Sequence, residues 1–520
     1  MPELIWEGKN DAVRAARNIS ARLLEFDSAL SVGDGENLIV QGDNLQVMKA
    51  LLPRYKNLVR CIYIDPPYNT GAVFEHYNDN FEHATWLNFM YPRLEMLREF
   101  LSDDGFFCCE VDDAEGHYLK ILLDEIFGRE NYLTTIYIQV RYPNKTLKED
   151  MNFHKEIEQI HVYRKSFAAS PNLNTSTVGY EKFIYEVVEL EPPFEILELG
   201  GKKVELFRAE QYKIKKGIGS KFGLKEIWAS GTILDGNSSG RFFRDYLSGR
   251  YATDGYGVLY KVHGIGDDSF DWRYFTGPKR EGATKGKYYQ GVPLEKLDSE
   301  KNLRRLPIEN FYDLAANFGN CRHEGDADFR SGKKPEILLK LLLNYFSDAG
   351  DLVMDCFLGS GTTAAVAHKM NRRYIGIELG EQAITHVVPR LKKVINGEQS
   401  GISKDVGWTG GGEFKFARLG EKLFTASGAI NPLVTAEELA AHIWFNRTGT
   451  ALTEKFSLPL IGIHDGAAIY LIENILTEKI FATLPIHDGQ KIIYGAACRL
   501  SNSFLRTNKI IFKQLPTEIF

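Results

Sequence analysis

The sequence has few of the features that stabilise secreted proteins or anchor membrane proteins. Its 520 residues include only six cysteines, and no two of them form a C-x-x-C pair. This argues against a zinc ribbon or a disulfide framework and fits a reducing cytoplasm. No apolar run reaches the roughly 18 residues needed to span a membrane, and the polar first twenty residues lack the pattern of a signal peptide. We therefore expect a cytoplasmic protein without a membrane anchor.

An excess of positive charge is also missing. The formal net charge is −6 and the pI is about 6.1, which argues against a chain that binds nucleic acid over its whole surface but allows a local basic surface. No Walker motif is present, so we expect any ATP-driven work to come from another chain. With 44% hydrophobic and 25% charged residues, the composition is that of a globular protein of about three domains.

The stretch IYIDPPYNTG, residues 62–71, combines a strand pattern with residues that stop a strand. Its apolar letters predict a short buried strand, and Asp65 lies at the carboxyl end. The two prolines cannot continue the strand because neither has an amide hydrogen, and each pushes the residue before it into extended geometry. The result is a stiff loop that holds the carboxylate of Asp65 and the ring of Tyr68 at its ends, where a flat polar group could bind.

A second stretch, VMDCFLGSGTT, predicts a strand that ends at Asp355, then a glycine-rich turn and a helix. Gly359 and Gly361 would let a ligand lie against the backbone and let the helix begin close by. About twenty residues further on, Glu378 ends the next strand, where an acidic side chain would hold ribose hydroxyls. Ala364 stands where a dinucleotide fingerprint has its third glycine, a tolerated variant, so dinucleotide binding remains open on this motif alone.

The apolar pattern divides the chain into five segments. Strands alternate with helices in 37–165 and in 321–420, which predicts a doubly wound, mostly parallel α/β sheet covered on both faces. Residues 166–320 are rich in glycine, aromatics and mixed charge without a sustained period, and we interpret them as an inserted domain. Residues 1–36 are predicted to be helical and polar, and 421–520 to form a small α+β domain. The letters IHDG occur twice in this last segment and predict two hairpin turns.

Together, the two motifs resemble those of the amino-methylating DNA methyltransferases of the β group. In that group the Asp-Pro-Pro-Tyr motif comes first, the glycine motif comes last, and a target-recognition insert lies between them. The stretches DPPYNTG, YNDNF, DDAEGHYLKILLDEIFGRENY and KKPEILLKLLLNYF further resemble the Mod subunits of Type III restriction-modification systems. The resemblance implies an S-adenosylmethionine-dependent methyltransferase that modifies adenine N6 of a flipped-out base in double-stranded DNA. It also implies a homodimer and a Res-type ATP-dependent nuclease partner.

The resemblance also assigns roles to single residues. Asp65 and the carbonyl of Pro66 would each accept an N–H of the target amine, and Tyr68 would stack on the flipped base. Arg280, Lys285 and Lys287, in the most basic patch of the insert, would contact phosphates and some base edges. The implied cofactor-binding residues are Asp43, Lys334, Pro335, Asp355, Phe357, Gly359, Gly361, Thr362 and Glu378.

Alternatives remain open at this point. Cytosine N4 is the nearest alternative target, although cytosine-N4 enzymes more often carry Ser-Pro-Pro-Tyr. The chain could instead serve mainly as a DNA-recognition subunit for a nuclease partner, and an RNA or protein-glutamine substrate is a third option. Asp43 has a second interpretation as the cap of the helix that follows Gly42.

Overall fold

The computed structural model describes residues 3–69, 82–143, 153–177, 179–230, 238–283, 285–294, 297, 303–326, 328–329 and 332–518. Thr70 and Gly71 of the first motif, and the YNDNF stretch at 77–81, lie outside the described residues. The chain divides into two compact units. The first unit combines Met1–Asn172 with Glu309–Phe520, and the second is Leu173–Ile308.

The first unit contains most of the helices. Its elements before the second unit are α1 (Lys9–Asn18), β1 (Arg22–Phe26), β2 (Leu38–Gln41), α2 (Asn44–Tyr55), β3 (Val59–Ile64), α3 (His83–Phe100), β4 (Leu101–Val111), α4 (Gly116–Phe127), β5 (Tyr132–Gln139) and β6 (Ile157–Arg164).

The second unit is mostly β-structure. Its elements are β7 (Asn174–Thr177), β8 (Tyr185–Glu189), β9 (Glu195–Leu199), β10 (Lys202–Phe207), β11 (Tyr212–Lys216), β12 (Lys225–Ala229), α5 (Ser238–Phe242), α6 (Tyr251–Asp254), β13 (Leu259–His263), β14 (Trp272–Thr276), β15 (Gly286–Gln290) and β16 (Leu303–Leu306).

The first unit then resumes. Its remaining elements are β17 (Phe311–Asp313), α7 (Ala315–Asn320), α8 (Glu336–Phe346), β18 (Leu352–Asp355), α9 (Thr362–Lys369), β19 (Arg373–Glu378), α10 (Val388–Ile395), β20 (Lys415–Lys422), α11 (Ala436–Thr448), β21 (Leu460–His464), β22 (Ala467–Leu471), α12 (Glu478–Phe481), β23 (Gln490–Gly495), α13 (Asn502–Thr507) and β24 (Ile510–Gln514). Among the described helices, none combines the length and apolarity needed to cross a bilayer.

A ten-stranded sheet organises the first unit, in the order β1-β20-β2-β19-β18-β3-β4-β6-β5-β17. From β20 to β4 all neighbours run parallel, whereas β1 and β6 run antiparallel to their neighbours. In β3, Ile62 and Ile64 face the main core, and Cys61 and Tyr63, which alternate with them, are equally buried. Because alternate side chains point to opposite faces, both faces of the sheet are covered. The doubly wound, mostly parallel α/β fold is therefore confirmed.

The prediction of a helical N-terminal segment over 1–36 is only partly correct. Residues Lys9–Asn18 form α1, but Arg22–Phe26 form β1, which pairs antiparallel with β20 at the edge of the central sheet. Five residues with the pattern RLLEF show no alternation that would predict a strand. Their extended conformation comes from pairing with a strand almost four hundred residues later, which is tertiary context rather than local propensity.

The insert boundaries predicted at 166–320 are too wide. The compact second unit is Leu173–Ile308, and Phe311–Asp313 already returns to the central sheet as β17, parallel to β5. A strand of three residues is too short to show a period. The second unit contains a six-stranded sheet in the order β12-β15-β14-β13-β10-β9 and the two-stranded pairs β11-β8 and β16-β7.

The last segment contains α11 to α13 and a four-stranded sheet, β21-β22-β23-β24. It begins slightly later than the predicted 421, because β20 continues to Lys422. The first IHDG, at 463–466, does form the hairpin turn between β21 and β22. The prediction for the second, at 486–489, is wrong, because the strand after it runs parallel to β22. Asp-Gly favours a turn in both places, but strand pairing decides the direction of the chain after it.

A buried ionic network fastens three helices of the first unit together. Glu336, at the start of α8, accepts hydrogen bonds from Lys369 Nζ of α9 at 2.7 Å and from Arg390 of α10 at 2.8 Å. It also accepts the backbone N–H of Ile402 at 3.1 Å. The side chains of all three charged residues are fully buried, and a charge in such a place is tolerated only when it is paired.

We expect Glu336→Gln to lower the free energy of unfolding by about 3–5 kcal/mol, because the buried Arg390 would lose its carboxylate partner and the buried Lys369 would be left with Glu398 alone. Asp405→Asn is the control. It removes an exposed ion pair, 3.0 Å long, between Asp405 and Lys340, which lies in α8 like Glu336. We expect it to lower the free energy of unfolding by less than about 1 kcal/mol. Urea denaturation measures both. Equal destabilisation of the two variants would contradict the importance of the buried network.

Candidate active site

The register of the central sheet brings acidic residues to one edge. Asp65 follows β3, Asp355 ends β18 and Glu378 ends β19. Ile64 lies opposite Cys109, and Asp355 lies opposite Gly376. The two motifs, which are almost three hundred residues apart in sequence, therefore end at the same carboxyl edge, where sheets of this kind bind ligands.

Buried contacts hold the Asp-Pro-Pro-Tyr loop in place. Pro66 is buried, and the carbonyl of Pro67 accepts a hydrogen bond from Trp86 Nε1 at 2.8 Å. Trp86, in α3, is fully buried in the main core. Because proline rings also restrict the chain, the loop presents its side chains from a rigid base.

Lys334 lies at the centre of the site. Its Nζ lies 2.6 Å from the hydroxyl of Tyr68, 2.7 Å from Glu158 Oε2 and 3.3 Å from Asp65 Oδ1. It also lies 3.2 Å from Glu110 Oε1. The Tyr68 hydroxyl in turn donates to Glu158 Oε2 at 3.0 Å. One ammonium thus joins three carboxyl groups and the motif tyrosine.

The backbone of Lys334 reaches the glycine motif. Its carbonyl accepts a hydrogen bond from Thr362 Oγ1 at 3.1 Å, and Thr362 is the first residue of α9. Pro335 precedes α8 as its N-cap, in extended geometry. The side chain of Lys334 therefore binds the first motif while its main chain binds the second.

Burial and pairing shift the pKa values of the cluster in different directions. Burial raises the pKa of Glu110 well above 4.5, and Tyr63 donates a hydrogen bond to it. Burial opposes ionisation of Glu158 too, but Lys334 and the hydrogen bonds with Glu110 and Tyr68 together outweigh it and lower the pKa of that carboxyl. Burial raises the pKa of Asp65, against the attraction of Lys334. The three carboxyls raise the pKa of Lys334 despite its burial, so the lysine stays charged.

The glycine motif forms a tight turn braced by Glu378. Gly359 and Gly361 have φ angles of 54° and 79°, in the left-handed region that favours glycine. The carboxylate of Glu378 accepts the N–H of Gly359 at 2.7 Å, the N–H of Gly380 at 3.1 Å and Gln382 Nε2 at 2.8 Å. Glu378 thus shapes the turn, and its contact with a ribose stays a prediction.

Asp355 also holds the turn. Its two carboxylate oxygens accept the backbone N–H of Phe357 at 2.9 Å and the hydroxyl of Thr363 at 2.6 Å. Burial raises the pKa of Asp355 to about 7. The ring of Phe357 is half-buried and lies 6.1 Å from that of Phe89, so it has one side near the protein core.

Asp43 caps α2, which confirms the second interpretation given to it. Its Oδ1 accepts the N–H of Gln46 at 3.0 Å, and its Oδ2 accepts a hydrogen bond from Arg93 at 2.9 Å. Arg93 is itself buried and donates to Asn44 Oδ1 at 2.6 Å. A contact between Asp43 and a cofactor adenine remains a prediction.

The three residues predicted to bind DNA lie in the second unit. Arg280 and Lys285 are exposed in the connection between β14 and β15. Lys287 is in β15, where its Nζ lies 2.6 Å from Glu226 Oε1 and 4.5 Å from the ring centre of Trp228. The charge of Lys287 is therefore already paired, while Arg280 and Lys285 present theirs to solvent.

A family model described as a DNA methylase matches residues 59–388 of the chain. This chain belongs to the DNA methylase family. The matched region includes both motifs and the sequence of the second unit between them.

The chain is similar to two curated Mod subunits. It is 32% identical to the probable type III restriction-modification enzyme HindVI Mod subunit of Haemophilus influenzae, over 88% of this chain and 62% of that protein. It is 28% identical to the StyLTI Mod subunit of Salmonella typhimurium, over 70% of this chain and 55% of that protein. The chain thus spans between 55% and 62% of the length of these relatives. Among solved structures, it is similar to the PvuII cytosine-N4-specific DNA methyltransferase, at 12% identity over 71% of this chain and 90% of that chain, with a TM-score of 0.35.

Sequence reasoning missed four residues that build the candidate site. Glu110 and Glu158 lie in strands β4 and β6, and Trp86 and Arg93 lie in α3. A signal was present for Glu110, because a carboxylate inside the apolar run FFCCEV needs a buried partner. Trp86 and Arg93 gave no such signal, since they read as ordinary members of an amphipathic helix.

The two buried glutamates should differ in their pH response. We expect Glu110→Gln to gain stability relative to the parent protein as the pH rises above 4.5, by up to about 1.4 kcal/mol per pH unit. The folded-state pKa of Glu110 lies above its ordinary value of 4.5, so ionising it costs the folded state, and glutamine removes this cost.

Glu158→Gln is the matched control for this experiment. The folded-state pKa of Glu158 lies below 4.5, so its stabilising effect is fully present above that pH and is lost as the pH falls. We expect Glu158→Gln to be less stable than the parent by a constant amount between pH 5 and pH 8. Chemical denaturation at several pH values measures both variants, and parallel pH curves for the two would contradict the assignment.

Proposed function

We propose that the chain transfers a methyl group from S-adenosylmethionine to adenine N6 of a flipped-out base in double-stranded DNA. The observation that carries the proposal is the placement of Lys334, whose side chain contacts Asp65 and Tyr68 and whose carbonyl contacts Thr362. One connected set of residues would therefore position both the methyl donor at the second motif and the base at the first.

The residues at this edge of the sheet suit S-adenosylmethionine. Asp65, Asp355 and Glu378 give the edge an acidic character, which fits a ligand that carries a sulfonium and an ammonium group. A Cβ added at Gly359 would have only the carbonyl of Phe357 near it, at 4.0 Å, so this backbone is accessible to a ligand. Lys334, Pro335, Phe357, Gly361 and Thr362 would line the same place, with Asp43 nearer the adenine. When bound, S-adenosylmethionine supplies an electrophilic methyl group.

The chain's own residues would activate the target amine. The lone pair of an exocyclic amine is delocalised into the base, which makes it a poor nucleophile. Asp65 and the carbonyl of Pro66 would each accept one N–H, draw the nitrogen out of the plane and stabilise the positive charge that develops. Tyr68 would stack on the base. The raised pKa of Asp65 also makes its carboxylate a suitable acceptor for the proton that the methylated amine releases.

The relatives named Mod subunits support a wider assignment. We propose that the chain is the modification and specificity subunit of a Type III-like system, acts as a homodimer, and has an ATP-dependent nuclease subunit as its partner. The second unit would then serve as the target-recognition domain, with Arg280 and Lys285 on DNA. Asp65 favours adenine, because the cytosine-N4 enzymes of the family more often begin this motif with serine.

The first test is methylation in cells. We expect plasmid DNA from a methylation-free host that expresses the chain to carry N6-methyladenine at one short motif, as read by single-molecule sequencing. Asp65→Ala should reduce methylation by at least about 100-fold, because it removes an acceptor that acts on the transition state. It should leave binding of S-adenosylmethionine by the purified protein within a few-fold of the parent.

Asp405→Asn controls for the removal of a carboxylate elsewhere on the surface. Detection of N4-methylcytosine at the motif would show that the target is cytosine N4 rather than adenine N6. An Asp65→Ala protein that still binds the motif specifically would show that recognition and catalysis are separable. Unmodified DNA from a parent protein that binds S-adenosylmethionine would overturn the proposed reaction in favour of a recognition subunit or of a substrate other than DNA.

A further inference from the structure

One stretch of the second unit carries positive charge without acidic residues. Residues 211–225, QYKIKKGIGSKFGLK, contain five lysines and no aspartate or glutamate. The stretch just before it, 181–210, contains eight glutamates. That preceding stretch also contains three lysines and one arginine, so it is 211–225 that carries charge of a single sign, which is the electrostatic pattern of a surface for a polyanion.

The strand β11 presents part of this charge to solvent. Lys213, Lys215 and Lys216 are exposed, while Tyr212 and Ile214 pack against the core on one face of the six-stranded sheet. Among the described residues, no carboxylate forms an ion pair with these three lysines. Glu186 lies opposite Lys215 in the ladder of β8 and β11 and offsets one charge at most, so the surface remains cationic.

The loop after β11 has a defined shape with an apolar tip. The N–H of Gly217 donates to the carbonyl of Ile184 at 2.8 Å, and the N–H of Leu224 donates to that of Tyr185 at 2.7 Å. A Cβ at Gly223 would lie 1.8 Å from the carbonyl of Phe183, so only glycine allows this close approach. The loop is pinned to the neighbouring backbone at both ends.

This fixed loop exposes two large apolar side chains. Ile218 is 95% exposed and Phe222 is 72% exposed. Lys221 Nζ lies 4.9 Å from the ring centre of Phe222, so a cation accompanies the ring. Exposing two such side chains together on a rigid loop costs solvation free energy. A binding partner that covers them would recover it.

We propose that residues 211–225 are a DNA-docking element, in which the lysines contact phosphates and Ile218 and Phe222 enter a groove against the bases. Proteins that bend or unstack duplex DNA use apolar wedges of this kind, flanked by cationic residues. This inference rests on the proposed function, since it names the surface of the chain that engages the DNA substrate. An acidic protein partner would also suit the lysines, and the test separates the two.

The lysines are tested by the salt dependence of DNA binding. We expect Lys213→Ala, Lys215→Ala and Lys216→Ala together to reduce the slope of log Kd against log salt by about 0.9 for each phosphate that the variant no longer neutralises, or about 2.7 in all. The control removes three exposed lysines of the first unit, Lys404, Lys455 and Lys479, and should leave the slope unchanged. Fluorescence anisotropy with a cognate duplex measures both.

The apolar tip is tested with a double variant. We expect Ile218→Ala with Phe222→Ala to weaken cognate binding by about 5- to 150-fold. The salt slope should stay as in the parent, because no charge is removed. The control replaces Leu433 and Ile486, which are also exposed, with alanine. Because all four side chains lie at the surface, the melting temperatures should not change.

The outcomes distinguish this inference from the proposed function. A parent protein that methylates DNA, with both variants binding like the parent, would overturn the docking element and leave the methyltransferase intact. A parent protein that neither binds nor methylates DNA would overturn both. Variants that bind DNA normally but no longer associate with the nuclease subunit in pull-down would assign the surface to an acidic protein partner instead.

Discussion

A single buried ammonium determines how the two halves of the site meet. Lys334 lies among Asp65, Glu110 and Glu158. A buried cation must be paired, because burying it without a counter-charge has a prohibitive free-energy cost. The ion pairs of Lys334 bring the ends of strands β3, β4 and β6 to the same point. Its main chain at the same time receives Thr362 of the helix that begins at the glycine turn. The site therefore depends on electrostatic compensation as much as on the sheet.

Residues that the family assigns to ligands also support the protein itself. Glu378 holds the backbone of the glycine turn, Asp355 holds Phe357 and Thr363, and Asp43 caps a helix. Such bracing keeps polar groups in place before any ligand arrives, which is what preorganisation requires. It also means that substitutions at these positions would affect shape and ligand contact together, so weaker binding alone would not separate the two roles.

The parts of the molecule that follow local rules could be predicted from sequence. The strand before Asp65, the glycine turn and helices such as α8 follow from proline chemistry, glycine conformations and apolar periodicity. Strands β1 and β17 could not be predicted, because five and three residues are too few to show a period and their partners are distant in sequence. Glu158 was missed for the same reason, since its role is defined by Lys334, which lies 176 residues later. Pairings over such distances are properties of the folded chain.

The edge pair β1 and β20 joins residues near 22 to residues near 422, and this has a consequence for synthesis. On a ribosome, the chain emerges from its amino end, and domains fold as units when they become available. The second unit has all its strands between residues 173 and 308 and can close while the rest is still being made. The first unit must wait for β17 to β20. During that interval its early strands present open edges, a state in which a chaperone would be most useful.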